Sequence, residues 1–167
     1  MGSQSEIPTS VDQIDWDNWE FREHAVLCFI RETDRILLIH KKTGLGAGKI
    51  NGPGGRIDPG ESALQAAIRE TTEETGLTPI SLEQTAELSF VFLDGYSLFV
   101  TVFTADGFRG QLTQTTEADP FWCQECEIPY TRMWEDDAIW LPRVLSGEYI
   151  KGCFIYSGDR SISHRID

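Results

Sequence analysis

Residues 55–77 read GRIDPGESALQAAIRETTEETGL, and from Ser62 to Gly76 the punctuation of this stretch is helical. Ser62-Ala63-Leu64-Gln65 has the form of a capping box, in which the serine hydroxyl and the glutamine side chain satisfy free amides at a helix start. Gly76 supplies the C-terminal stop. Between them Leu64, Ala67, Ile68, Thr71 and Thr75 recur at helical spacing. On a wheel with Leu64 at zero, Glu73 falls near about 180°, Glu70 near about 240° and Glu74 near about 280°. Three carboxylates therefore share the side opposite the apolar face, and the small Ala63 and Ala66 beside them leave room for a ligand. Like charges at these spacings each cost roughly 0.2–0.5 kcal/mol, and only Arg69 is placed to neutralise them. A hard divalent cation would reverse the sign of that cost, and oxygen ligands of this kind suit Mg²⁺. The triad by itself leaves the plainer alternative open, a solvated acidic face on an acidic protein.

Working outward, residues 24–31 and 35–41 are short β-branched and leucine-rich runs separated by Glu32-Thr33-Asp34, which predicts a hairpin. Residues 43–60 carry seven glycines and two prolines, too many breakers for regular structure. Residues 87–93 and 96–105, joined at Asp94-Gly95, predict a second hairpin. A strand at 121–125, a helix at 136–145 stopping at Gly147, and a last strand at 149–156 complete the chain, with Pro142 removing one backbone bond from the second helix. Strands interspersed with two helices predict an α/β fold, a mixed sheet sandwiched between helices.

The 167 residues are 40% hydrophobic and carry a formal net charge of −13, the size and composition of one globular domain. That charge disfavours a nucleic-acid polymer or an anionic membrane as partner. With no apolar run long enough to span a bilayer and no secretion signal in residues 1–10, the expectation is a cytoplasmic protein. Cys28, Cys123, Cys126 and Cys153 are expected as reduced, buried thiols, and the lone Cys123-x-x-Cys126 pair is too few ligands for zinc. His24, His40 and His164 show no ligand spacing. Residues 1–22 form an acidic extension in which Val11, Ile14, Trp16, Trp19 and Phe21 predict docking on the body, residues 23–167, from about residue 11.

From Gly55 the chain also runs Gly55, five residues, Glu61, seven residues, Arg69-Glu70, two residues, Glu73-Glu74, one residue, Gly76-Leu77. This register resembles the Nudix box, and a chance match to all its fixed residues is on the order of one in 100,000. Of the two positions where the box has a bulky aliphatic, the second holds Leu77 and the first Thr71. Thr71 falls on the buried face, so its hydroxyl needs a partner such as the Ala67 carbonyl. The resemblance implies a Nudix α/β/α sandwich and hydrolysis of a nucleoside diphosphate linked to another moiety, using water and Mg²⁺, with Mn²⁺ as the alternative. It implies that Glu70, Glu73 and Glu74 ligate the metal together with the Gly54 carbonyl, and that Glu117, ahead of the Phe121 strand, joins them. Arg69 with Glu61 would brace loop against helix, completing the implied catalytic set. Which glutamate is the general base stays open.

Residues 41–52, Ile128-Pro129, Met133-Trp134-Glu135-Asp136-Asp137 and Trp140-Leu141-Pro142 further resemble the mammalian MutT-homologue class, over roughly residues 23–165. Those enzymes cleave oxidised purine nucleoside triphosphates, such as 8-oxo-dGTP and 2-hydroxy-dATP, to the monophosphate and pyrophosphate. The likeness implies a monomer acting on a small nucleotide. It implies substrate contacts from Lys41, Leu45, Asn51, Arg56, Phe90, Phe92, Trp134, Asp136 and Asp137. Leu45 and Ile50 stand where a member of the class has Phe and Trp, so this wall of the pocket is expected to differ. Two adjacent carboxylates resist double ionisation, so one keeps a proton while the other accepts, and moving the proton would let one site take both oxidised bases. Trp134 could stack on the base and Phe90 and Phe92 line the floor. The plainer alternatives are acids favoured by a helix N-terminus at residues 135–137 and ordinary core at Phe90 and Phe92. Other readings of the whole chain are a Nudix hydrolase of ADP-ribose, a nucleotide sugar or a dinucleoside polyphosphate, and a nucleotide sensor without turnover. The charge is polarised in a way that suits a nucleotide. Residues 35–57 hold Arg35, Lys41, Lys42, Lys49 and Arg56 and no acid, leaving nine basic against 27 acidic residues elsewhere.

Overall fold

A computed structural model describes residues 6–167, so residues 1–5 of the acidic extension lie outside the described residues. In chain order the elements are β1 (Glu23–Glu32), β2 (Arg35–Lys41), β3 (Ile50–Asn51), β4 (Gly54–Arg56), α1 (Ala63–Thr75), β5 (Leu77–Phe92), β6 (Ser97–Gly110), β7 (Ala118–Gln124), α2 (Asp137–Leu145), β8 (Ile150–Ser157) and β9 (Arg160–Ile166). The strands form one mixed sheet in the order β3-β2-β1-β6-β5-β8-β9, with β4 added to β1 and β7 to β2. β1 runs parallel to β6 and β5 parallel to β8, while the other pairs are antiparallel. Alternation along β1 sets the layers. Val26, Cys28 and Ile30 pack with Ala66 and Ala67 of α1, while Phe29 faces the cluster containing Trp140, Leu141 and Val144 of α2. The sheet thus lies between the two helices, the α/β architecture that the element order predicts.

Several expectations are corrected. The first hairpin is real only at its turn, where Arg31 pairs with Ile36 and Glu32 with Arg35. Beyond it the strands part, β1 toward β6 and β4, β2 toward β7 and β3. The glycine-rich stretch contains two short strands, β3 and β4, because its glycines let backbone approach β1 and β2 closely enough to pair. β5 starts at Leu77, directly after the Gly76 stop, well ahead of residue 87, and β6 runs on to Gly110. Pro79, the positive φ of 55° at Ser81 and the register shift between Gln84 and Ala86 hide that extension from a pattern search. β9 follows the last turn and is an edge strand with mostly exposed residues. Of the four free cysteines only Cys28 is buried; Cys126 is exposed.

Val11 is buried, and its N–H donates to Ser163 Oγ of β9 at 3.0 Å. From there Trp16, Trp19, Phe21 and Phe99 form a run of ring contacts with centroids 5.2, 5.8 and 5.3 Å apart. Among the described residues no helix is long and apolar enough to cross a membrane.

Candidate active site

Helix α1 begins and ends as its punctuation dictates. Ser62 Oγ accepts from the Gln65 N–H at 3.1 Å, the Ser62 N–H donates to Gln65 Oε1 at 2.9 Å, and Gly76 closes the helix at φ 79°. Thr71 is fully buried and its hydroxyl donates to the Ala67 carbonyl at 2.7 Å, so the departure from an aliphatic residue leaves no polar group unpaired. The rotation of the helix differs from the wheel reading. Leu64 is 44% exposed, whereas Ala66 and Glu74 are buried, so the inward face is turned toward the acidic side. Ala66 therefore fills core and leaves no room for a ligand. The rotation also divides the three glutamates. Carboxylate oxygens of Glu70, Glu74 and Glu117 lie within 4.8 Å of one another, while Glu73 is exposed and pairs with Arg69 at 3.3 Å. Glu117 arrives from outside the helix because β7 pairs with β2 in a register that sets Ala118 opposite Lys41, and the Lys42 N–H donates to the Glu117 carbonyl at 2.9 Å.

Arg69 grips Glu61 with two bonds, Nε to Oε2 at 2.8 Å and Nη2 to Oε1 at 2.9 Å. Its Nη2 also donates to the Arg56 carbonyl at 3.1 Å and its Nη1 to Glu70 Oε1 at 2.9 Å, tying the loop to the acidic cluster. The loop lies so close to α1 that a Cβ on Gly55 would stand 2.4 Å from Glu70 Cδ, and one on Gly54 would stand 2.0 Å from the Val26 carbonyl oxygen. At Gly54 the obstacle is backbone and only glycine fits, whereas at Gly55 a side chain would displace the Glu70 carboxylate.

Burial, and next the charge of Glu70, raise the Glu74 carboxyl to about 8, with Lys41 and a Gly54 backbone hydrogen bond acting against it. Burial also raises Glu70, against the Arg69 hydrogen bond, and lowers Lys41. Glu74 Oε2 is buried without a hydrogen-bond partner. Three convergent carboxylates with an orphaned oxygen are the donor set a hard divalent cation requires, so these residues fit Mg²⁺ or Mn²⁺.

The cluster opens into a cleft of about 430 Å³. Lys41, Leu45, Asn51, Gly54 and Arg56 line it on the loop side, and Phe90, Phe92, Trp134, Asp136 and Asp137 on the far side; Glu61, Arg69 and Glu73 do not reach it. Asn51 Oδ1 accepts from the Gly52 N–H at 2.8 Å, Arg56 pairs with Glu23 at 2.8 Å, and Leu45 stays 44% exposed at the mouth. The glycine-rich loop leans on Trp134. A Cβ on Gly46 would stand 2.8 Å from the indole nitrogen, and Lys49 Nζ lies 5.1 Å from a Trp134 ring centroid. Phe92 and Trp134 meet edge to face at 6.1 Å. Asp136 and Asp137 are both buried. Asp136 precedes α2 but makes no cap with its side chain; its Oδ2 accepts from Trp140 Nε1 at 2.7 Å and its Oδ1 from the Tyr156 hydroxyl. Both acids stand at the start of α2, where a helix N-terminus also favours them, while the side chain of Asp136 is held by Trp140 and Tyr156. Tyr156, Tyr96 and Leu27 also line the cleft. The sequence reading missed Leu27 and Tyr156 because they lie on alternating strands that look like plain core, and Tyr96 because it stands in the turn before β6.

A NUDIX domain profile matches residues 21–144 of the chain. The chain is 38% identical over 143 residues to the oxidized purine nucleoside triphosphate hydrolase of Danio rerio, covering 84% of this chain and 92% of that one. To the protein of the same name from Mus musculus it is 36% identical over 137 residues, 81% of this chain and 88% of the other. Among solved structures it is similar to a MutT protein from Bacillus halodurans, with a TM-score of 0.77 at 28% identity, covering 87% of this chain and 97% of that one.

Proposed function

Because the chain belongs to the NUDIX family and is a hydrolase of that family, we propose that it cleaves oxidised purine nucleoside triphosphates, such as 8-oxo-dGTP or 2-hydroxy-dATP, to the monophosphate and pyrophosphate. The observation that carries this reading is a single cleft lined both by a three-glutamate cluster and by two buried aspartates with Trp134. Such a cleft is built to hold a polyphosphate on a cation and a purine by its edge. The naming of the Danio rerio and Mus musculus relatives supports the same substrate class. Glu70, Glu74 and Glu117 would hold Mg²⁺, which when bound supplies charge neutralisation on the pyrophosphate. Glu74, whose carboxyl burial raises to about 8, has the proton affinity to take a proton from water once ionised. Glu61 positions Arg69, Arg69 positions Glu70, and Glu73 balances the guanidinium from outside. Lys41 faces the phosphate end of the cleft, and Trp134 offers an aromatic face for the base. We place the activity in a cytoplasmic monomer acting on small nucleotides, consistent with a net charge that repels polymers of like sign.

The test is incubation with Mg²⁺ and a panel of oxidised and ordinary nucleotides, with products identified. Pyrophosphate release favouring 8-oxo-dGTP or 2-hydroxy-dATP over dGTP and dATP is expected. Turnover of ADP-ribose alone would overturn the substrate class and leave the hydrolase.

A further inference from the structure

Asp136 and Asp137 are adjacent and equally buried, yet their hydrogen bonds are unequal. The Tyr156 oxygen accepts from the Asp136 N–H at 3.0 Å, and its own hydroxyl meets Asp136 Oδ1. Tyr156 is fully buried on β8, so its proton has to go to an acceptor, and Oδ1 is the one in reach. Trp140 Nε1 can only donate, and it points at Oδ2. Both oxygens of Asp136 are therefore held as acceptors. Asp137 has no such partners: its Oδ2 is buried without a hydrogen bond and lines the cleft.

We propose that Tyr156 is the residue that sets base specificity, by fixing Asp136 as the acceptor of the pair and leaving Asp137 as the protonated donor. The inference rests on the nucleotide reading above and narrows it. A proton free to move between the aspartates would serve two base edges equally. The Tyr156 and Trp140 donors remove that freedom, so the site favours the edge that offers a donor to Asp136 and an acceptor to Asp137. Tyr156 acts through Asp136 and is a positioning residue for recognition. The balance of charges agrees. Burial raises both carboxyls, but the Tyr156 and Trp140 hydrogen bonds pull Asp136 back while the charge of Asp136 pushes Asp137 further up. The other titratable neighbours are acidic or phenolic: Glu135 acts on Asp136, and Tyr130 faces Asp137.

The test has two arms. Carbon NMR of aspartate-labelled, metal-free protein, assigned with Asp136→Asn and Asp137→Asn, is expected to show Asp136 ionised and Asp137 neutral near neutral pH. Tyr156→Phe keeps the ring and removes the hydroxyl, and should raise the Asp136 midpoint by about one pH unit or more. Trp140→Phe, which removes the other donor, should act in the same direction and serves if the first variant folds poorly. In the second arm, the ratio of kcat/KM for 8-oxo-dGTP and 2-hydroxy-dATP should move toward unity by about tenfold in Tyr156→Phe. A proton found on Asp136 in the wild type, or an unmoved midpoint or ratio in both variants, overturns the inference. Absence of turnover on both nucleotides with the expected carboxyl spectrum removes the substrate reading but supports the assigned proton.

Discussion

Glu74 is buried with an unpartnered oxygen, whereas Glu73, its neighbour in sequence, is exposed and held by Arg69. Glu74→Gln is expected to cut turnover by about a hundredfold or more, within the range for loss of a general base. It should also raise the melting temperature of metal-free protein near neutral pH, because a neutral isostere removes the cost of protonating on folding a carboxyl that the unfolded chain leaves ionised. Glu73→Gln should cost at least about tenfold less activity than Glu74→Gln. Steady-state rates and thermal melts on both variants check this, and equal losses would put Glu73 back in the cluster. The register of the box names Glu70, Glu73 and Glu74, and Glu117 was named outside it by its place ahead of the Phe121 strand. Spacing alone does not say which of them turns inward, because it fixes angles between residues and not the rotation of the helix against the sheet. That rotation comes from Ala66, small enough to sit against Val26 and Cys28 of β1, and it carries Glu74 in with it. Asp136 and Asp137 were legible as a pair. Their inequality was not, since Tyr156 lies twenty residues on and reaches Asp136 only through the fold.

The loop, β4 and α1 act as one element, and two neighbouring glycines separate its two duties. Gly55→Ala would push against the end of a flexible Glu70 side chain, so the fold should tolerate it while the acidic cluster is displaced. About a hundredfold loss of kcat/KM with a small change in melting temperature is expected. Gly54→Ala would press on the Val26 backbone instead, and should destabilise the protein by about 1–3 kcal/mol. Denaturant titration alongside kinetics distinguishes the two, and a reversed pattern would contradict the assigned contacts. Ser62→Ala removes the helix cap at a cost of about 1 kcal/mol with the cluster intact. Caps and glycines were legible because they are local chemistry. Strand β9 and the first half of β5 were not, because their polar and proline-containing sequences pair through partners already in place rather than through their own hydrophobic pattern.

At the scale of the whole molecule, an acidic chain brings Lys41 to a carboxylate cluster in which Glu74 is buried at the cost of solvation. That cost has a pH dependence of definite sign. In the unfolded chain Glu74 ionises in the ordinary carboxylate range, and in the folded protein at about 8. Between those values the folded state keeps a proton that the unfolded state has released, so raising the pH favours unfolding. Glu70, Asp136 and Asp137, all raised by burial, act in the same direction. His24, lowered by burial, opposes them near its ordinary range. The lowered Glu61, Asp119 and Glu148 contribute only at more acid pH, where they begin to protonate. In chelator, the melting temperature is therefore expected to fall by several degrees between about pH 5.5 and about pH 8. Mg²⁺ competes with the proton for the same carboxylates, so its stabilising shift should be small at the lower pH and grow toward the higher. Thermal melts across this range, with and without Mg²⁺, measure both slopes. A melting temperature that climbs with pH in chelator would mean that the cluster is not desolvated, and a Mg²⁺ shift independent of pH would mean that the ion binds elsewhere.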